Sequence, residues 1–529
     1  MTFISFSFLI FFLVLALLYY LLPKKCQWVI LLCGSYLFYF LASEKLPVYM
    51  LMTTAVIYGG TMWIGRIDKK LKDRIAADAD LTRDGKKELK KAAERKRKAV
   101  LILSLCINFG LLAVFKYLPA ASRTVQTMLF GAASVHEIRL LMPLGISFYT
   151  FQSTGYIVDV FRKKVQPERN FFKTALFVSY FAQIVQGPIG RFQELAPQLF
   201  AERSFSFERA KEGALLILWG FLKKLVVADN LAPMITAIAA DSASYGGFQI
   251  FLGMCLYGVR LYADFSGYMD IAMGFSKILG IELAPNFKRP YFSTSVIEFW
   301  RRWHISLCQW FRDYVFYSLI TSKRFQAIGK KLRAKNYRKA AINVPSFIAT
   351  IIVWFLTGLW HEASAREICW GLMNGCIMVF SLQFKDVYAA IRSKLHISEK
   401  KFWFRVFQMA RTFLIMSALN FMCEFPSVRA FGQSVVQFVK NPLPTSIAAS
   451  YIFPETIDAG LFKVIGMGLG ILAMFVYSVI EEKHGAIFPK LCRRHWILQT
   501  TVALALLFAV LLFDGSSSDL TAGFMYAQF

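Results

Sequence analysis

Along this chain, long apolar runs alternate with short, strongly basic ones. Runs of membrane-helix character cover 3–22, 27–43, 46–65, 100–118, 141–161, 171–187, 212–228, 248–285, 344–360, 366–382, 404–422, 461–480 and 496–513. A helix needs about 20 apolar residues to span a bilayer, and 248–285 is long enough for two passes or for one pass plus a re-entrant piece. The pattern blurs over 171–343, where Gly187-Pro188 and Pro285 interrupt it and amphipathic stretches replace plain apolar ones. Irregular backbone at membrane depth is tolerated only where it is buried in protein or lines a cavity, so a site is expected there. With no internal repeat and no separate soluble domain, residues 1–529 read as one integral-membrane domain. The fold class is all-α and polytopic, with about 11–13 membrane helices.

The polar positions orient those runs. Residues 66–99 hold fourteen Lys/Arg, and Lys323 to Lys339 hold eight with no acid. Further basic clusters lie at Arg162–Lys164, Lys385–Arg405 and Lys483–Arg494. Basic loops between apolar segments follow the positive-inside rule, so the net charge of +28 speaks for a lipid bilayer and against nucleic acid. The rule makes 66–99 a cytoplasmic charged loop, with 69–98 a solvated surface helix, and 321–343 a cytoplasmic basic loop. Phe3 to Leu22 lacks a basic leader and ends at Pro23-Lys24-Lys25 rather than at small residues, unlike a cleavable signal. Counting spans places both termini outside. Apolar residues make up 57% of the chain, against about 45–50% in soluble proteins, and mean hydropathy is +0.48. The nine cysteines show neither CxxC nor Cys/His ligand spacing, so neither a metal site nor a disulfide framework is supported.

Two histidines in these apolar surroundings stand out. His304 follows Trp303 in EFWRRWHISLCQWFRDY, and His361 follows Trp360 in WFLTGLWHEAS. An ionisable group in a membrane is costly without a partner or a task, and imidazole is well suited to moving a proton near neutral pH. Trp300, Trp303, Leu307, Trp310 and Tyr314 fall on one helical stripe. Arg301, Arg302 and Arg312 point elsewhere, and Glu298 can pair with Arg302 at i,i+4. His304 then has either a chemical role or that of a hydrogen-bonded interfacial histidine. Span counting places His361 near the outer end of its helix, followed by a Glu362/Arg366 pair. Desolvation keeps such an imidazole neutral, as a general base within reach of a hydroxyl requires. Asp159, Asp264 and Asp270 are intramembrane carboxylates that either hold a histidine or arginine or pair structurally, for instance with Arg260. Arg191, after Gly187-Pro188, is a candidate for donor phosphates. Cys308 and Cys369 lie near the histidines, but an apolar setting raises a thiol pKa and favours packing.

Five blocks together carry a family likeness: MPLGISFYTFQSTGYIVDVFR (Met142–Arg162), QGPIGRF (Gln186–Phe192), YADFSGYMDIAMG (Tyr262–Gly274), NFKRPYFSTSVIEFWRRWHISLCQWFRDYVFY (Asn286–Tyr317) and GLWHEAS (Gly358–Ser364). The chain resembles the membrane-bound O-acyltransferase (MBOAT) superfamily, chiefly its bacterial alginate O-acetyltransferase branch and more distantly the D-alanyl transferase of teichoic acid synthesis. The resemblance implies a ring of tilted helices around a central tunnel in the bacterial cytoplasmic membrane, with re-entrant and interfacial helices. It also implies an acyl donor from the cytoplasm and an acceptor from the other side. His361 matches the superfamily histidine and His304 the second essential histidine of the branch; Asp264 and Asp270 match a family block. Trp300, Trp303, Arg301, Arg302 and Trp360 are the supporting residues around them. Two departures matter. Glu362 follows His361 where the branch reads Trp-His-Gly, and Trp370-Gly-Leu-Met-Asn374-Gly375 stands for Trp-x-x-x-His-Gly. Asn374 cannot act as a base, which weakens any relay through it and the case for an alginate-like acceptor.

The tail, residues 514–529, ends Phe524-Met-Tyr526-Ala-Gln-Phe529, like the F-x-Y-x-x-F ending of the small peptide accompanying the teichoic-acid enzyme. That likeness makes Tyr526 a transient acyl carrier; the alternative is an aromatic anchor at the interface. The dozen residues from Asp514 can extend about 40 Å, beyond the roughly 30 Å hydrocarbon core. The whole reads as an O-acyltransferase moving an acetyl or similar group from an acyl-CoA or acyl-carrier-protein thioester to a hydroxyl of a polysaccharide or cell-envelope polymer. It has no permanently bound cofactor, and family likeness implies a soluble extracytoplasmic SGNH-type acyltransferase as partner. A lipid- or sugar-linked transporter, or an export scaffold, would use the same intramembrane charges without acyl chemistry.

Overall fold

The computed structural model describes residues 1–43, 47–78, 80–130, 142–443 and 457–514. Every regular element among them is helical. Among the described residues, seven helices are long and apolar enough to cross a bilayer, or eight if the bent pair over 365–394 forms one span. The chain is an all-α polytopic membrane protein. Where the sequence pattern gives one unbroken domain, the chain packs as two compact units, residues 1–210 with 275–284 and residues 211–274 with 285–529. The tail from 515 onward, including Tyr526, lies outside the described residues.

The first unit holds α1 (Phe6–Leu21), α2 (Gln27–Ala42), α3 (Val48–Ala77), α4 (Arg83–Phe130), α5 (Ile146–Phe161), α6 (Phe171–Ser179), α7 (Phe181–Ile184) and α8 (Phe192–Phe200). Its core is phenylalanine-rich: the Phe8 ring lies 5.5 Å from Phe38 and 5.0 Å from Phe275. Two expectations are corrected here. Residues 69–98 are not a separate surface helix, because α3 and α4 continue past their apolar parts and meet at a turn near Thr82. Their Ala, Lys, Glu and Arg are good helix formers. Arg97 ties the hairpin down by donating to the Phe161 carbonyl and pairing with Asp68 at 3.4 Å. The apolar run 171–187 is not one span either. Asn170 caps α6, the helix breaks at Tyr180, and the freed Phe181 N–H donates to Ser35 Oγ at 3.1 Å.

The second unit begins within α9 (Phe207–Phe221), which runs through a π-helical turn, Leu222–Ala228, into α10 (Asp229–Ala240). Next comes α11 (Gly247–Ile278), a single unbroken helix of 32 residues rather than two passes, whose last residues belong to the first unit. The buried carboxylates do pair structurally, but with lysines that sequence reasoning passed over. Lys224 bonds Asp264 at 2.7 Å and Asp229 at 2.9 Å, and Lys223 pairs with Asp270 and bonds Ser266 at 3.0 Å. Arg260 instead pairs with Glu424 at 2.9 Å. In the first unit, Asp159 faces Lys164 at 3.9 Å.

Beyond Pro285 follow α12 (Val296–Arg302), α13 (Ile305–Trp310), a π-helical turn at Phe311–Phe316, α14 (Tyr317–Ile320), α15 (Lys323–Ala334) and α16 (Arg338–His361). Then come α17 (Ala365–Gln383), α18 (Lys385–Lys394), α19 (Phe402–Phe421), α20 (Val428–Lys440), α21 (Ile457–His484), α22 (Phe488–Leu491) and α23 (Trp496–Phe513). The expected loop at 321–343 is helical. Ser322 caps α15, whose side packs along α16 at Gly329, close to the Ala341 carbonyl.

Candidate active site

The second unit builds its site on two breaks in helical structure. The first separates α12 from α13. Ser295 starts α12 by accepting from the Glu298 N–H at 3.2 Å, while Glu298 reaches back to the Thr294 N–H at 2.9 Å, a variant of the capping box. The helix then stops after seven residues, about two turns. Trp303 is extended and His304 takes a left-handed backbone with φ +43°. This corrects the single helical stripe expected over Trp300–Tyr314, although the Glu298–Arg302 pair forms as expected, at 2.7 Å. The second break follows His361, the last residue of α16. Glu362 is extended, Ser364 caps α17, and Glu362 pairs with Arg366 at 2.8 Å.

The left-handed turn at His304 is held from outside. Asn286, buried to 1% exposure, accepts from the Ser306 N–H at 3.0 Å and from its hydroxyl at 2.9 Å. The same side-chain amide faces His304 Nδ1 at 3.2–3.3 Å through both its nitrogen and its oxygen. The Asn286 carbonyl accepts from the Ile305 N–H at 3.0 Å. Phe265 stands edge-on to the imidazole at 4.8 Å. α12 and α13 are both too short to span, and burial in this bend pushes the His304 imidazole down to about 3. The ring is therefore neutral, able to accept or relay a proton but not to carry a resident charge.

A cavity of about 640 Å³ is lined by both histidines. Trp360 bridges them: its ring lies 6.4 Å from His304 and 4.8 Å from His361, and Trp370 closes on His361 from the other side at 5.0 Å. Trp300, Trp303, Arg301, Trp354 and Thr357 complete the wall. Glycines allow this closeness. A Cβ on Gly358 would collide with the Glu367 carbonyl and one on Gly371 with the Trp354 carbonyl, so α16 and α17 approach backbone to backbone beside His361. Cys308 also faces the cavity, but burial pushes its thiol up to about 12, against a role as nucleophile.

The remaining candidates do not line this cavity. Arg302 points to Glu298 and Glu482. Asn374 is fully buried and donates to the Trp370 carbonyl at 2.9 Å, a packing role along α17. Asp264 belongs to the lysine cluster, and Arg191 stands at the N-cap of α8 in the first unit. Among the described residues, no group of three His, Cys, Asp or Glu is placed to hold a metal. Sequence reasoning assigned Asn286 no role, although this amide directly after Pro285 opens the block that contains His304.

A profile of the MBOAT, membrane-bound O-acyltransferase family, matches residues 162–333, which include His304. Over 420 residues the chain is 33% identical to a "Probable alginate O-acetylase" of Pseudomonas syringae, covering 79% of this chain and 71% of that one. It is 29% identical over 327 residues to the peptidoglycan O-acetyltransferase of Helicobacter pylori (57% and 58%). With the teichoic acid D-alanyltransferase of Streptococcus thermophilus it shares 33% identity over 248 residues (46% and 57%). The chain belongs to the membrane-bound O-acyltransferase family. Within it the chain falls in the alginate O-acetylase-like branch, and it is an O-acyltransferase.

Proposed function

We propose that this enzyme moves a short acyl group, acetyl foremost, from a cytoplasmic thioester across the bacterial cytoplasmic membrane to a hydroxyl of an extracytoplasmic polysaccharide or cell-envelope polymer. One observation carries the reading: His304, in the break before α13, and His361, at the end of α16, line the same cavity with Trp360 between them. His361 acts as general base. It takes the acceptor's proton as the hydroxyl oxygen attacks the thioester carbonyl. The tetrahedral intermediate collapses with loss of the C–S bond, and the departing thiolate recovers the proton. His304, neutral and fixed by Asn286, holds the acceptor or donor in line. The activities that the relatives are named for, O-acetylation and D-alanylation, support a small acyl group and an envelope polymer. The donor is an acyl-CoA or acyl carrier protein.

The family likeness of the tail supports a relay in which Tyr526 takes the acyl group first and an extracytoplasmic SGNH-type transferase receives it. Both termini then face outward. The test is O-acetyl content of envelope polymers in a deletion strain complemented with variants. His361→Ala abolishes acylation, His304→Ala reduces it severely, and Tyr526→Phe separates a carrier from an aromatic anchor. Wild-type acylation by both histidine variants refutes the reading.

A further inference from the structure

Three indoles pack edge to face in the wall of the histidine cavity. The Trp300 ring lies 4.5 Å from Trp354 and 6.0 Å from Trp370, and the last two lie 6.0 Å apart. The His361 ring meets the same wall, 5.0 Å from Trp370. A buried tryptophan N–H usually finds a hydrogen-bond acceptor, and two of these three do. Trp370 Nε1 donates to Asn420 Oδ1 and Trp354 Nε1 to Met378 Sδ, each at 3.0 Å. Trp300 differs: the residue is 7% exposed, and its buried Nε1 has no acceptor among the described residues. Its ring is held by packing alone, against two indoles that are themselves anchored by hydrogen bonds and against Phe299 at 5.4 Å. A buried donor left unsatisfied calls for an explanation. The acyltransfer reaction offers an acceptor for it, the thioester oxygen, which gains a full negative charge when a hydroxyl adds to the carbonyl carbon.

We propose that Trp300 is a catalytic residue whose Nε1–H stabilises the oxyanion of the tetrahedral intermediate. As the acceptor oxygen bonds to the thioester carbon and its proton passes to His361, the carbonyl π pair moves onto oxygen, and that oxyanion accepts from Trp300 Nε1. When the pair returns, the C–S bond breaks and the departing thiolate takes the proton from the imidazolium. An indole suits the task because it is a donor only and brings no charge into an apolar wall. A donor already fixed by packing needs no reorganisation at the moment of reaction, and in a site that excludes water it is worth more than in solution. The inference rests on the acyltransfer reading above and fills a role that reading leaves open, the group that receives the developing charge. It holds for coenzyme A and acyl carrier protein alike, because the reacting carbonyl is the same in both.

The test uses the full-length enzyme in nanodiscs with glycerol as the acceptor alcohol. Two donors are compared, the acetyl thioester and its dithioacetyl analogue, in which sulfur, a weak hydrogen-bond acceptor, replaces the carbonyl oxygen. Both are carried on coenzyme A or on acyl carrier protein, whichever supports turnover by the wild type. Trp300 is replaced by benzothienylalanine, which keeps the shape of the ring and exchanges only the N–H for sulfur, and separately by phenylalanine in Trp300→Phe. With the oxygen donor the isosteric variant loses about 10²-fold in kcat, the cost of removing one oxyanion donor, while KM stays within threefold and the melting temperature is that of wild type. With the dithioacetyl donor it loses far less, so the oxygen-to-sulfur ratio in kcat falls at least tenfold, and Trp300→Phe follows the same ratio even where its yield is lower. A kcat within twofold of wild type with the oxygen donor overturns the assignment. So does an equal loss with both donors, because the indole then serves packing alone. A wild type inactive with both acetyl-CoA and an acetylated carrier protein refutes the acyltransfer reading itself.

Discussion

His304 combines a left-handed backbone at φ +43° with a ring tied to a buried amide. Left-handed backbone costs an L-residue roughly 1–2 kcal/mol, with His, Asn and Asp the best tolerated of the residues that have a Cβ. Neither feature could be read from the one-dimensional pattern, which puts His304 beside a stripe on a continuous helix. The Asn286 bonds to His304 and Ser306, eighteen and twenty residues along the chain, help hold the break, as does the Lys288 N–H donating to the Arg302 carbonyl. Asn286→Ala removes the acceptor for both Ser306 donors, so about 1–3 kcal/mol of stability is lost. It also lowers kcat by tenfold or more while His304 remains present, as turnover and thermal melts of the same preparation would show. Acid titration follows from the same burial. The folded imidazole sits near 3 against an ordinary 6.5, so the unfolded chain binds the extra proton first, and stability drops as pH falls from about 6.5 toward 3. His304→Asn keeps left-handed tolerance and removes the titration. Its melting temperature is therefore less sensitive than that of wild type to a shift from pH 7 to pH 5. Equal sensitivity of the two proteins would show that His304 is not buried neutral.

Among the elements, the α16–α17 pair shapes the site, and the lysine-bearing π turn holds the buried charges of α11. Gly358 and Gly371 permit a backbone approach that places His361 against Trp370. Gly371→Ala forces the helices apart, costing about 1–3 kcal/mol in thermal or denaturant unfolding, and lowers turnover with it. A substitution without effect on either would mean the close approach is dispensable. Lys224 sits between Asp264 and Asp229 with 3% of its side chain exposed. Lys224→Met leaves buried carboxylates without a counter-charge, a loss of about 3–5 kcal/mol that shows as poor membrane yield, and Lys224→Met/Asp264→Leu recovers part of it. Much of this level was open to pattern reading. The long apolar runs, the Glu298–Arg302 and Glu362–Arg366 pairs and the helix ending at His361 all follow from spacing. The short broken helices between Phe171 and Ile184, and the continuation of α3 and α4 beyond their apolar parts, did not. They depend on partners distant in sequence, such as Ser35 for the Phe181 N–H and Asp68 for Arg97. Lys223 and Lys224 were overlooked because they fall inside the apolar run 212–228, and their carboxylate partners on α11 become neighbours only in the fold.

For the whole molecule, membership of the acyltransferase family and a cavity lined by both histidines converge on one reaction. The family could be recognised from five sequence blocks, but the cavity could not, because it forms only when α12, α13, α16 and α17 fold together. The most direct measurement is acyl-dependent thiol release and acyl transfer by purified, nanodisc-embedded wild type and His361→Ala, given radiolabelled acetyl-CoA and an acceptor alcohol. With His361 as base, the variant melts like wild type, binds donor and transfers at least about 10²-fold more slowly. A folded His361→Ala protein that transfers within twofold of the wild-type rate would contradict this placement of the chemistry.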